Sequence, residues 1–106
     1  MSIALVAQAV GSGVSSANQN ITASAVIGNK LVLIYARSGG LATGAVTSIT
    51  DTGLNTWSAT AVTRGAVSGV SNTRIEVWTC QVTASPGTIT VNSATAQTNS
   101  WNLSEW

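Results

Sequence analysis

Apolar and polar residues alternate with a period of two along most of this chain, and no stretch of helical length keeps a 3.6-residue period. Such alternation sends successive side chains to opposite faces of an extended backbone, so it predicts half-buried strands. Eight segments carry the strand signal: residues 2–10, 21–27, 30–37, 45–50, 56–64, 72–82, 88–93 and 99–106. They recur at about the 8–12-residue spacing of a sandwich or barrel. Gly11-Ser12-Gly13 ends the first segment, and the Ser/Asn-rich residues 14–20 predict a loop. Gly28-Asn29, between two apolar runs, predicts a hairpin turn. Residues 38–44 and 65–71 are Gly-rich and predict flexible loops, while Pro86-Gly87 fits the central pair of a type II turn. Segment 30–37 is apolar almost throughout, which predicts a strand buried on both faces or central in its sheet. Together these signals predict an all-β fold over residues 1–106. The expected architecture is a single two-sheet antiparallel sandwich of about eight strands, jelly-roll or Ig-like.

Residues 49–57 (Ile-Thr-Asp-Thr-Gly-Leu-Asn-Thr-Trp) predict the corner around which the rest is organised. Asp51 can accept from backbone N–H groups just ahead of it, Gly53 can take positive φ, and Asn55 tolerates the left-handed region. Trp57 then enters the next strand, where an indole can fill the space between two sheets. Further along, Arg74, Glu76, Trp78, Cys80 and Val82 fall on one strand face, with Ile75 and Val77 on the other. Near the end, Trp101 and Leu103 share a face and Trp106 lies opposite.

Composition narrows the classes of function. Only 7% of the 106 residues are charged, His is absent, and the net charge is +1. Binding of nucleic acid or an anionic membrane needs clustered positive charge, which Lys30, Arg37, Arg64 and Arg74 do not supply. No window approaches the ~20 apolar residues of a membrane-spanning helix. Residues 2–10 are apolar but lack a positive leader and are interrupted by Gln8, so they do not read as a secretory signal. Cys80 is the sole cysteine, so no intramolecular disulfide forms, and synthesis in a cytoplasm is expected. A nearly uncharged exterior is poorly protected against self-association, which suits a subunit covered by neighbours.

Chemistry-bearing constellations are missing. A nucleophile needs a nearby base, and without His neither Cys80 nor a Ser has an obvious one; Cys80 reads as a small buried hydrophobe. The acids Asp51, Glu76 and Glu105 make no convincing glycosidic pair, because Asp51 already has a turn to hold. Zinc wants His or Cys clusters and calcium several carboxylates, so no metal or other cofactor is expected. Arg74 and Glu76 read as a weak surface ion pair. Trp57, Trp78 and Trp101 are expected in the core in place of the absent Phe, and Trp106 in an intersubunit contact.

Three pieces together resemble a family of small β-sandwich modules of bacteriophage structural proteins and related bacterial surface proteins. They are Asp51-x-x-x-Asn55-x-Trp57, Arg74-Ile-Glu-Val-Trp78 and Trp101-x-Leu103-x-Glu105-Trp106, with Gly87-Thr-Ile-Thr-Val91 as the intervening hairpin strand. The likeness covers roughly residues 30–106; family members continue past the Glu-aromatic strand where this chain stops. The resemblance implies a non-enzymatic virion component, a capsid decoration protein or a tail or fibre module. Its partners would be copies of itself or other virion proteins. Ile3, Leu5, Leu103 and Trp106 are the expected interface residues. The alternative is a carbohydrate-binding or adhesion module, which would take surface glycans through an exposed Trp and loop amides.

Overall fold

The computed structural model describes residues 7–38, 46–65 and 73–106. The chain is all-β, and the described residues form six strands: β1 (Ala7–Ala23), β2 (Lys30–Ser38), β3 (Val46–Asp51), β4 (Trp57–Gly65), β5 (Thr73–Gln81) and β6 (Gly87–Glu105). Every pairing is antiparallel.

All eight sequence segments contribute strand where described, although the expected strand 21–27 ends at Ala23 and gives way to a crossing, and four of the segments run together in pairs. β1 joins the first two and β6 the last two, and these long strands pair with each other along their length. The Ser/Asn-rich residues 14–20, expected as a loop, therefore continue as strand. A continuous partner holds them extended, with the mismatch absorbed as register shifts between Gly13 and Ser16 and between Ser16 and Asn18. Such irregularities bend a ribbon and let a strand pass from one sheet to another.

The registers show how the ribbon folds. Residues 87–92 of β6 lie between β1 and β3, and residues 99–105 lie between β1 and β2. β6 thus runs up one layer and returns down the other, carrying β1 with it. One layer is ordered β1–β6–β3 and the other β1–β6–β2–β5–β4, which makes a two-sheet sandwich. Its shortest extent, 20 Å, suits two sheets packed ~10 Å apart with their outer side chains.

The core is the inward alternation of both layers: Ile21, Ile49, Ile89 and Val91 face Leu31, Leu33, Tyr35 and Leu103. β2 is central, flanked by β5 and β6, and Leu31, Leu33 and Tyr35 point inward. Its other face is open, since Ile34 is exposed. Of the two sequence expectations for this segment, central placement holds and burial on both faces does not. Gly28 takes φ 97°, as a turn glycine can. The strands around it do not form a hairpin, however. β1 ends against Gly87 in one layer while β2 starts against Gln81 in the other, so residues 24–29 cross between layers.

Candidate interaction surface

Apart from the β1–β6 ribbon, the described crossings between the layers lie at one end: residues 24–29, 52–56 and 82–86. A crossing cannot use ladder hydrogen bonds, so its backbone groups need side-chain partners. The sequence supplies them with short acids and amides. Asp51 Oδ1 accepts from the Asn55 backbone N–H at 3.1 Å, and Asp51 Oδ2 accepts from Trp57 Nε1 at 2.8 Å. Asn55 reaches across to the neighbouring crossing. Its Oδ1 accepts from the Thr83 and Ala84 backbone N–H groups at 2.8 and 3.2 Å, and its Nδ2 donates to the Ala84 carbonyl at 2.8 Å. Glu105 does the same for the remaining crossing: Oε2 accepts from Val26 N at 2.8 Å and from Asn29 Nδ2 at 2.9 Å. Asp51, Asn55 and Glu105 are all buried.

The predicted corner residues Asp51, Gly53, Asn55 and Trp57 are therefore brought together, but two of them act differently from expectation. Gly53 does not have positive φ; it is needed because a Cβ there would meet the Ser85 carbonyl oxygen at 2.6 Å and that of Ala84 at 2.9 Å. Asn55 is not the left-handed residue either. That residue is Leu54, at φ 60°. Asn55 is instead spent on hydrogen bonds that only a buried amide could make at once.

Leu54 is the unusual feature. A non-glycine residue at such φ costs roughly 1–2 kcal/mol, and Asn or Gly would be the inexpensive choices. Its side chain recovers nothing inside the molecule, for it is 87% exposed. Val26 and Ile27, in the crossing 24–29 at the same end, are also exposed, and Trp106 there is 41% exposed. Trp106 is held in place as an added ladder rung: its N–H donates to the Lys30 carbonyl and its carbonyl accepts from the Lys30 N–H, both at 2.9 Å. The end is thus hydrogen-bonded within by Asp51, Asn55 and Glu105, and shows Val26, Ile27, Leu54 and Trp106 on its outside.

A second apolar area covers the outer face of the β2–β5 pair. Ile34 and Ile75 are exposed, Val32, Ala36 and Val77 are half-buried, and Ile34 pairs with Val77 and Ala36 with Ile75 across the strands. Ser100, Asn102 and Ser104 border it on β6, so that its rim is neutral.

Of the interface residues expected from sequence, Trp106 is at the surface. Leu103 is not: it is buried in the core opposite Leu33, because β6 there is interior to its sheet. Ile3 and Leu5 lie outside the described residues. Sequence reasoning missed Val26, Ile27 and Leu54; the available signal was an apolar residue placed at the tip of a polar turn.

Trp57 is buried in the core, and Trp78 and Trp101 pack against it, as expected. Cys80 is buried beside Trp57 and Leu31. Burial pushes its thiol up to about 11, with the Asp51 charge adding to the effect and a backbone hydrogen bond at Leu31 opposing it. Glu76 corrects another expectation. Only 3% exposed, it is no surface partner; Oε2 accepts from the Val46 backbone N–H at 2.9 Å and Oε1 from Trp78 Nε1 at 3.3 Å. It ties the start of β3 to the opposite layer. The side chain of Arg74, its expected partner, lies outside the described residues. Among the described residues no group of three His, Cys, Asp or Glu side chains could hold a metal ion, and no helix is long and apolar enough to cross a membrane.

Comparison with protein-family models, characterised proteins and solved structures finds no match to this chain.

Proposed function

We propose that this chain is a non-enzymatic structural subunit that works by packing against copies of itself, in the manner of a capsid decoration protein or a tail or fibre module of a phage-like particle. The observation that carries the reading is Leu54: a strained backbone holds an apolar side chain in solvent, at the end of the sandwich where Val26, Ile27 and Trp106 are also exposed. Natural chains keep local strain where it serves a contact or a site. A chain with only 7% charged residues adds to it, since little electrostatic repulsion opposes association. Stable association of this kind buries more than about 1,000 Å² in total, which the apolar end and the outer face of β2 and β5 could share.

The test is light scattering on the untagged protein together with Leu54→Asn and Trp106→Ala. Assembly in the parent and weakened assembly in both variants, with unchanged circular dichroism, supports the reading. A parent that stays monomeric at millimolar concentration removes it. The alternative reading, a glycan-binding module, draws on the exposed ring of Trp106, since an indole face can stack on a sugar. A glycan array probed with the parent and with Trp106→Ala decides that alternative.

A further inference from the structure

The end of the sandwich opposite the corner has a different interior. Asn99 is 2% exposed, and neither its Nδ2 nor its Oδ1 has a hydrogen-bond partner; Trp101 Nε1 and Ser93 Oγ are likewise buried and unpartnered. Buried polar atoms are satisfied in the great majority of cases, so a cluster of orphans calls for an explanation. The registers bring these side chains to one level. Trp101 sits beside Tyr35, which sits beside Glu76. Glu76 in turn accepts from Val46 N, and Val46 pairs with Ser93 on the other layer. Asn99 lies one inward position further along β6 than Trp101, counting towards the ribbon fold. The inward alternation thus aims a hydroxyl from one layer and an amide and an indole N–H from the other into the same space.

We propose that Ser93, Asn99 and Trp101 form an internal site for a small neutral hydroxylated ligand, a polyol or the hydroxyl edge of a monosaccharide. The donor set fits that chemistry. Asn99 Nδ2 and Trp101 Nε1 donate to ligand oxygens, Asn99 Oδ1 accepts from a hydroxyl, and Ser93 can do either. None of the three carries charge, which suits a neutral guest, and the nearby Glu76 carboxylate already holds Val46 N and Trp78 Nε1. The β1–β6 ladder is interrupted between Gly13 and Asn18, and Gly13 is the rung opposite Asn99. The site stands apart from the apolar end and does not depend on assembly.

Titration calorimetry and tryptophan emission with glycerol, glucose and galactose test it. The expected result is saturable binding in the millimolar range by at least one compound. Asn99→Leu and Ser93→Ala should each weaken it at least tenfold, and Trp106→Ala should leave it unchanged. Absence of saturation, or equal binding by Asn99→Leu, overturns the proposal. So does a crystal soaked in the same compounds that shows ordered water alone bridging the three side chains. Because the parent protein is titrated first, a variant that fails to fold does not rescue the idea.

Discussion

The two ends of the sandwich treat buried polar groups in opposite ways. At the corner, Asp51, Asn55 and Glu105 are buried and bonded to the crossings they hold. At the ribbon fold, Asn99, Trp101 and Ser93 are buried with polar atoms unpartnered. A bonded buried amide stabilises, whereas an unbonded one costs its desolvation, about 1–3 kcal/mol. One end is therefore built for rigidity and displays apolar side chains outward. The other carries a polar interior that the fold alone does not explain.

That contrast can be broken most severely at Asn55. Asn55→Ala leaves the Thr83 and Ala84 N–H groups and part of Asp51 without partners, so a loss of about 3–5 kcal/mol is expected in urea unfolding. A loss below about 1 kcal/mol would mean that water replaces the amide and the corner is not the rigid end. Next is the thiol at the same end. Cys80 in the folded chain is raised from 9.0 to about 11, so its contribution is full below pH 9 and is lost as pH rises from 9 towards 11. The decline is on the order of 2 kcal/mol at most, and Cys80→Ala should flatten it.

At the other end, Asn99→Leu removes two unpartnered atoms and should stabilise the ligand-free protein by about 1 kcal/mol. A marked loss of stability would show that the amide is satisfied and that the two ends are alike. The smallest effect is at the corner's outer surface. Leu54→Asn relieves the left-handed strain and should raise monomer stability by about 0.5–1 kcal/mol in thermal melts, while weakening self-association. Stability and assembly moving in opposite directions is the signature of a residue kept for contact.

Much of the corner was legible because its chemistry is local. Asp51, Asn55 and Trp57 lie within one turn of chain, and a short acid ahead of an amide and an indole has few other uses. The exchange of roles between Gly53, Leu54 and Asn55 was not legible, because it depends on the carbonyls of Ala84 and Ser85 in a different crossing. Glu76 is the sharpest case. Its place in the alternation put it on the same face as Cys80 and Val82, which is the interior, yet its charge argued for the surface. The periodicity was the better guide, since the opposite layer supplies Val46 N as a partner.

Alternation and turn chemistry, which act over a few residues, were enough to determine that this chain is all-β and where most of its strands lie. They also placed the tryptophans of the core. The layer each strand joins was decided only by tertiary structure, as were the joining of two pairs of segments into the β1–β6 ribbon and the burial of Leu103, Glu76 and Asn99. Those outcomes depend on partners far away in the chain, and a side chain's surroundings exist only once those partners have met.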